Sequence, residues 1–446
     1  MSVTRRSLLA AGAVAFSGAL GALFATGGAR ASARGYGPLL PDPAGLLDLP
    51  AGFSYRVLSR AGDPLRSGGG TVPGNCDGMA AFGAGRGRLR LVRNHENRAT
   101  AALRVPAAAG LTYDPAALGG CTVLELDPAG QLRAERVGLA GTAVNCAGGR
   151  TPWNTWLSCE ETEERAGESG YARDHGYVFE VDPAAPHRLG AVPLTALGRF
   201  AHEAVAVDPY RGVVYETEDA FVRPFGLFYR FLPALPLGGP GSLRAGGVLE
   251  ALRVPGVADL SAVDEPGAEF PVEWVPVPDP SAAGTPVRLQ DFGTRGITHA
   301  QKLEGCYWGG DGVYFVSSYA RSGEGAAADH HGQVWFHDPL RGRLRLEVLF
   351  GPAAAASLPG DSPDNICLAP DGGLMVCEDG GGDQYLFGVT PGGEVYPVAR
   401  NADDIGAPGV PEWGEFAGVT FSPDRRTMFV NAYAPGTTFA VTGPWR

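Results

Sequence analysis

Lysine is almost absent from this sequence, and so are the motifs of several common protein classes. Lys302 is the only lysine among 36 basic residues. No two of the seven cysteines form a C-x-x-C pair, which argues against zinc ribbons and thioredoxin-like redox sites. The chain also lacks a G-x-S-x-G elbow, an H-E-x-x-H motif, a P-loop and a dinucleotide-binding fingerprint. An enzymatic activity would therefore need a different arrangement of residues.

Positive charge is in deficit, because 48 acidic residues face 36 basic ones and the formal net charge is −12. A surface this negative argues against nucleic acid as a partner and is compatible with binding hard cations. After residue 31 no apolar run is long enough to cross a membrane, so we expect no stable membrane insertion.

The first 31 residues have the pattern of an export signal. Arg5 and Arg6 precede an uncharged apolar run over 8–24, and small residues around Ala31 offer a cleavage site. Paired arginines in this place predict a twin-arginine signal peptide, with the twin-arginine translocase as partner during export. A general secretory signal or an uncleaved anchor is the alternative. We expect the mature chain to be a monomer in the periplasm or outside the cell, with disulfides between some of its cysteines.

Turn-forming residues are abundant, with 67 glycines and 37 prolines spread without a collagen period. Short alternating strands recur around Asp-Pro or Pro-Asp turns, which is typical of β-hairpins. Copies lie at 123–130, 177–183, 204–215, 333–339, 368–377 and 421–430. Their uneven spacing predicts an all-β propeller with long inter-blade insertions and leaves the number of blades open. A large β-sandwich or barrel is the alternative.

The domain organisation follows from this pattern. We expect one propeller domain over 35–446, after the signal peptide at 1–31. Residues 232–291 contain no strong copy of the hairpin pattern, and their first part is rich in proline and glycine. They are predicted to form an insertion, as a lid or rim element.

Carboxylates recur at predicted strand ends, several of them directly after an apolar strand. The candidates are Glu96, Glu160, Glu161, Glu203, Glu218, Asp219, Glu304, Asp364 and Glu378. In a propeller some strand ends converge on the axial channel, where carboxylates repel one another unless a cation neutralises them. An oxygen-rich set of this kind indicates hard ions such as Ca²⁺, Mg²⁺ or Fe³⁺. For any single acid the alternative is a turn cap or a surface charge.

Three further residue types are of interest near these acids. Cys146 lies between Asn145 and a Gly-Gly turn, outside an apolar strand, so it is the best candidate ligand among the cysteines. His95 and His202 each precede a glutamate, and neighbours on a strand point to opposite faces, so both are expected to pack beside the site. Lys302 offers a compact ammonium for a phosphate oxygen, although a lone lysine could also occur by chance.

A series of motifs occurs in order from about Gly35 to the end of the chain. They are DGMAAF (77–82), LVRNHE (91–96), NCAGGRTPWNTWLSCEET (145–162), GRFAHEAVAVDP (198–209), VYETED (214–219), LFYRFLP (227–233), KLEG (302–305), GQVWFHDP (332–339), SPDNICLAPDGGLMVCEDG (362–380) and EFAGVTFSPD (415–424). Together they resemble the PhoX-type alkaline phosphatase family.

The resemblance implies a six-bladed propeller that holds two Fe³⁺ and three Ca²⁺ ions in its channel. It also implies hydrolysis of small phosphomonoesters, with a metal-bridging oxygen rather than a serine as nucleophile. On the matching positions, Cys146 looks like the thiolate ligand of one iron, and the cluster carboxylates are expected at Glu160, Glu161, Glu203 and Glu304. Five further acids in matching motifs are expected as additional metal ligands, namely Glu96, Glu218, Asp219, Asp364 and Glu378.

One position departs from the family pattern. The family's best-understood members carry arginine where this chain has Lys302, a position expected to contact the phosphate, so Lys302 is the predicted catalytic residue. Two other functions remain open at this point: a calcium-dependent lactonase or esterase propeller, which would not need a thiolate, and a non-catalytic binding propeller.

Overall fold

The computed structural model describes residues 35–351 and 361–446, in which six antiparallel sheets form a six-bladed β-propeller. The all-β propeller prediction is confirmed, with the blade number that the family resemblance implied. The predicted signal peptide at 1–31 lies outside the described residues. Within the described residues, no helix is both long enough and apolar enough to span a bilayer.

The first three blades follow one another along the chain. Blade 1 consists of β4 (Cys76–Gly83), β5 (Leu89–His95), β6 (Gly119–Leu126) and β7 (Leu132–Thr142). Blade 2 consists of β8 (Asn145–Arg150), β9 (Trp156–Glu160) and β10 (Val178–Val181). Blade 3 consists of β11 (His202–Val207), β12 (Val214–Glu218), β13 (Gly226–Pro233), β14 (Gly247–Arg253) and β16 (Glu273–Pro276), with β17 (His299–Ala300) paired to the start of β13.

The other three blades include strands from distant parts of the chain. Blade 4 consists of β18 (Leu303–Gly309), β19 (Gly312–Ser317), β20 (Gly332–Asp338), β21 (Arg343–Phe350) and β15 (Glu269–Pro271). Blade 5 consists of β22 (Pro363–Leu368), β23 (Leu374–Glu378), β24 (Tyr385–Val389) and β25 (Val395–Asn401), extended by β2 (Leu47–Pro50) and β1 (Leu39–Leu40). Blade 6 consists of β26 (Phe416–Phe421), β27 (Thr427–Ala432), β28 (Thr437–Thr442) and β3 (Ser54–Arg60).

The ring is closed because strands from the two ends of the domain pair in one blade. β3, near the start of the described chain, pairs with the C-terminal strand β28 and completes blade 6. The innermost strands β4, β8, β11, β18, β22 and β26 contact one another in a closed ring around the axis. In a propeller only the outermost strand of each blade remains as a short sheet edge.

The hydrophobic core is divided among the interfaces between blades. Six clusters of buried side chains lie between neighbouring blades. On β27, Met428 and Val430 pack toward blade 5, while Phe429 packs toward blade 1. This period-2 alternation is the reason an apolar run such as TMFV forms a strand buried on both faces.

Short 3₁₀ turns connect some of the strands. They are Pro186–Arg188, Thr195–Leu197, Ser242–Ala245, Leu260–Ala262, Val287–Leu289, Gly293–Arg295 and Ser322–Glu324. The segment 232–291 is only partly an insertion, because β14 within it pairs with β13 as a regular blade strand. β15 and β16, from the same segment, extend blades 4 and 3. The proline-rich composition of this segment conceals these strands from a reading of the sequence.

The cysteines do not form the expected disulfides. All seven lie in the described residues, and all seven are free and buried. Most of them, such as Cys121 and Cys367, are side chains of the inter-blade clusters.

Candidate metal centre

The innermost strand of every blade contains the same irregularity near its start. In each case the pairing with the second strand of the blade shifts register, which is the mark of a β-bulge. The shifts lie between Cys76 and Met79, Asn145 and Gly148, His202 and Val205, Leu303 and Cys306, Pro363 and Ile366, and Ala417 and Thr420. A bulge of this kind re-aims the side chains that it contains.

The repeated bulge places one residue of each blade at an equivalent position beside the axis. These residues are Asp77, Cys146, Glu203, Glu304, Asp364 and Gly418. Five of the six have side chains of metal-ligand type. The sixth, Gly418, has a φ of +64°, and a Cβ there would lie 2.3 Å from the carbonyl oxygen of Asp77, so a side chain is excluded from this position.

A second set of residues follows the second strand of each blade. Glu96, Glu161, Asp219, Ser318, Asp379 and Tyr433 come directly after β5, β9, β12, β19, β23 and β27. All of them except Ser318 line the same cavity of about 320 Å³ as the five bulge residues. Arg98, Phe221, Lys302 and Glu415 complete its lining. Within the described part of the chain, the fold thus collects nine carboxylates and one thiol from six blades.

The potential ligand atoms of this cavity form three overlapping groups. The groups are Asp77, Glu96 and Cys146; Cys146, Glu161 and Glu203; and Glu203, Glu304 and Asp364. Within each group the ligand atoms lie within 4.8 Å of one another. Since Cys146 and Glu203 are each shared by two groups, the arrangement fits several neighbouring ions better than one isolated ion.

The carboxylates of the cavity are strongly perturbed. Burial, reinforced by the charges of Glu304 and Asp364, raises the pKa of Glu203 well above its ordinary value. Burial and the neighbouring charges of Glu96 and Asp364 raise the pKa of Asp77 in the same way. Burial also raises the pKa of the Cys146 thiol. Each pKa is raised because the charged form of the group is buried without enough positive charge nearby to stabilise it.

Unpartnered atoms show that the donor set fits cations. Both carboxylate oxygens of Glu203, Oδ1 of Asp77 and Oδ1 of Asp219 are buried without a hydrogen-bond partner among the described residues. The Cys146 thiol donates a long hydrogen bond, 3.6 Å, to Asp77 Oδ2. Buried carboxylates are normally paired, so oxygens left free around one cavity indicate ions as their partners. Their oxygen chemistry suits Ca²⁺ and Fe³⁺, and the thiolate suits iron better than calcium.

Lys302 lines the cavity and lies directly before β18. Its φ of 47° is in the left-handed region, and its ammonium donates hydrogen bonds to Glu304 and, at 3.1 Å, to Asp379 Oδ2. Although burial acts in the opposite direction, the charges of Glu304, Asp219 and Asp379 raise its pKa well above the ordinary value. The lysine therefore stays protonated and can offer a positive charge to an anion.

Three of the predicted metal ligands lie outside the cavity. Glu160, Glu218 and Glu378 are the last residues of β9, β12 and β23, one position before Glu161, Asp219 and Asp379. Successive residues of a strand point to opposite faces, so the earlier member of each pair faces away from the axis. The structure therefore does not bring these three acids into the cavity.

Each of these three acids has a structural partner instead. Glu160 accepts hydrogen bonds from His175 Nδ1 at 2.6 Å and from the backbone amides of residues 143, 176 and 177. Glu218 accepts from the Tyr229 hydroxyl at 2.6 Å and from Arg288, and burial raises its pKa to about 7. Glu378 accepts from the amides of residues 361 and 385.

The other predicted ligands meet in the cavity. Its lining includes Glu96, Cys146, Glu161, Glu203, Asp219, Glu304 and Asp364. The two histidines have partners of their own next to it. His95 bonds Gly74 O and Thr122 Oγ1, and His202 Nε2 bonds Gly198 O at 3.3 Å.

Three acids of the cavity are not among the predicted ligands, namely Asp77, Asp379 and Glu415. Asp77 lies at the start of an inner strand and Glu415 directly before one, so neither follows an apolar run. Asp379 does follow one, but its neighbour Glu378, the predicted ligand, follows the same apolar run, so the pattern does not separate the two acids. The position directly after the second strand of a blade is the signal that could have identified Asp379.

A second cavity, of about 300 Å³, lies further along the channel. Inner-strand residues that follow the bulges line it, including 78–81, 147–152 and 418–421. Its described lining contains one charged residue, Arg150, and no acid. The acidic cavity is therefore the candidate site.

Comparisons with known proteins concern the family and the fold of the chain. The family model described as alkaline phosphatase PhoX matches residues 34–436. The structure is similar to that of Pseudomonas fluorescens PhoX in complex with vanadate, a transition state analogue, with a TM-score of 0.65 and 20% identity over 91% of this chain and 97% of that chain. At this identity the likeness shows the fold alone.

A more distant likeness links the chain to a catalytically inactive virginiamycin B lyase from Staphylococcus aureus. The TM-score is 0.40 and the identity 10%, over 87% of this chain and 99% of that chain. Among curated protein sequences, none matches this chain.

Proposed function

This chain belongs to the alkaline phosphatase PhoX family and is a phosphoester hydrolase, and we propose that a cluster of two Fe³⁺ and three Ca²⁺ ions in the acidic cavity carries its activity. The observation that supports the cluster is the bulge repeated in all six blades, which brings five ligand-type side chains from five blades to one cavity. Small phosphomonoesters are the proposed substrates.

The residues of the cavity divide by the ions that they suit. Cys146 is the proposed thiolate ligand of one iron. The proposed carboxylate ligands are Asp77, Glu96, Glu161, Glu203, Asp219, Glu304 and Asp364, all of which line the cavity. Glu160, Glu218 and Glu378 are left out of this set because their carboxylates are bonded elsewhere. Metal binding would remove the thiol proton and the mutual repulsion of the acids together.

The chemistry combines the ions with two roles for the chain. When bound, the ions would supply an activated oxygen nucleophile and neutralise the charge of the phosphoryl group during in-line displacement. Lys302 would donate a hydrogen bond from its protonated ammonium to a phosphoryl oxygen. Asp379, which accepts a hydrogen bond from Lys302, would hold the ammonium in position for this contact.

We also propose export through the twin-arginine translocase and a monomeric protein in the periplasm or outside the cell. The seven free, buried thiols support this route, because it carries chains that have already folded. Loading of the ions would then precede export.

The test is to purify the protein after export by its native route, measure its metals by elemental analysis and assay p-nitrophenyl phosphate hydrolysis with added Ca²⁺. We expect iron and calcium to be present and the ester to be hydrolysed. Protein without iron and without hydrolysis would overturn the proposal.

Cys146→Ser provides the sharpest variant, with Cys367→Ser as its matched control. Cys367 is buried in the cluster between blades 5 and 6, away from the acidic cavity. We expect Cys146→Ser to lose iron and most activity and Cys367→Ser to keep both. A calcium-dependent lactonase or esterase has no need of the sulfur, so activity that survives Cys146→Ser would favour that alternative.

A further inference from the structure

Arg98 is the second cation that lines the acidic cavity, beside Lys302. It lies two residues after Glu96, in the connection that follows β5. Its guanidinium Nη2 donates to Glu96 Oε1 at 2.8 Å and lies 3.5 Å from Glu161 Oε2. The side chain is 63% exposed, whereas that of Lys302 is 17% exposed. Arg98 therefore stands at the mouth of the cavity and Lys302 deeper inside.

Both partners of Arg98 belong to the groups that could hold metal. Glu96 is grouped with Asp77 and Cys146, and Glu161 with Cys146 and Glu203. Carboxylates that bind cations have less negative charge to offer a guanidinium. With ions bound, the positively charged guanidinium would lie close to the positively charged ions and be repelled by them. An anion that lies between the guanidinium and the ions would relieve this repulsion.

We propose that Arg98 binds the phosphoryl group of the substrate at the mouth of the cavity. This rests on the proposed function. A guanidinium is planar and pairs with two phosphate oxygens at once, which suits a long, exposed side chain reaching over the ions. Arg98 and Lys302 would contact the same group from the rim and from the interior.

The charge of the substrate decides how much Arg98 contributes. A phosphomonoester carries two negative charges at alkaline pH and a phosphodiester carries one, so the Coulomb attraction of a guanidinium is about twice as large for the monoester. Arg98 is thus a residue that favours monoesters over diesters.

The experiment compares metal-loaded wild-type protein with Arg98→Ala and Arg98→Lys. Arg133→Ala is the control, because Arg133 is similarly exposed and pairs with Asp127, outside the cavity. Inorganic phosphate binding is measured by calorimetry, together with metal content and melting temperature. We expect Arg98→Ala to weaken phosphate binding about tenfold or more with unchanged metal content, Arg98→Lys to restore part of it, and Arg133→Ala to have no effect.

Hydrolysis supplies a second readout. In Arg98→Ala, kcat/KM for p-nitrophenyl phosphate should fall more than kcat/KM for bis-p-nitrophenyl phosphate. Unchanged phosphate affinity, or a loss that tracks a loss of metal, would overturn the role of Arg98 and leave the proposed function standing. A wild-type protein that neither binds phosphate nor hydrolyses the monoester would overturn both.

Discussion

Removing the metals should make the stability of this protein strongly dependent on pH. In the metal-free chain, burial and the charge of Asp219 outweigh the opposing charge of Lys302 and raise the pKa of Glu304 from its ordinary 4.5 to about 8. Between these two values the folded chain binds a proton that the unfolded chain has lost. Stability is therefore highest at low pH and falls as the pH rises through this window.

The size of the effect follows from the two pKa values. Their difference corresponds to about 5 kcal/mol for Glu304 alone, at about 1.4 kcal/mol per pH unit, and roughly 3–4 kcal/mol of this is lost above pH 5.5. Typical unfolding entropies give roughly 0.9 kcal/mol per degree for a domain that spans Gly35–Arg446. Glu304 alone should therefore lower the melting temperature by about 4 °C between pH 5.5 and pH 9. Bound ions would neutralise the carboxylates and remove this dependence.

The assay is thermal unfolding at pH 5.5 and pH 9, with chelated protein and protein reloaded with iron and calcium. Glu304→Gln removes the titrating group and should reduce the fall, whereas Glu250→Gln, at a carboxylate paired with Arg230 in blade 3, should not. A chelated protein that is equally stable at both pH values, or a fall that Glu304→Gln leaves intact, would refute the reasoning.

Three further predictions concern single side chains. Lys302→Ala should lower phosphatase kcat/KM at least tenfold while Lys302→Arg keeps most of it, since arginine offers the same positive charge to phosphate; equal losses in both variants would contradict this. Glu160→Ala should destabilise the fold by about 3–5 kcal/mol in denaturant unfolding, because it leaves His175 and three backbone amides without their acceptor; a change below about 1 kcal/mol would speak against the structural role. Phe221, half exposed at the cavity mouth, should contact the organic part of the ester. Phe221→Ala should therefore raise KM for naphthyl phosphate severalfold and leave inhibition by inorganic phosphate unchanged, and an unchanged KM would exclude this contact.

The kind of site, an acidic cavity, could be predicted from the sequence more completely than the residues that line it. Alternating strands before Glu161 and Asp219 made both acids visible as strand-end carboxylates. Their neighbours Glu160 and Glu218 had the same signal, because a pattern of residue types does not state on which face a strand ends. The folded structure separates them, since Glu160 and Glu218 accept hydrogen bonds elsewhere, whereas Glu161 and Asp219 line the cavity.

Asp77 and Glu415 illustrate the opposite case. Neither follows an apolar run, so the strand-end pattern does not identify them, although both line the cavity. Asp77 becomes equivalent to Cys146 and Glu203 only through a bulge in the pairing of two strands. A bulge depends on partners that are distant in the sequence.

By itself, the sequence determined the all-β propeller, the family and the presence of an acidic, thiol-containing site, because these depend on local alternation, turn residues and ordered motifs. The tertiary structure alone decided which carboxylates meet, that the cysteines stay unpaired, and that Arg98 stands over the cavity. Those outcomes depend on strand register and ring closure, which bring residues from six blades to one axis.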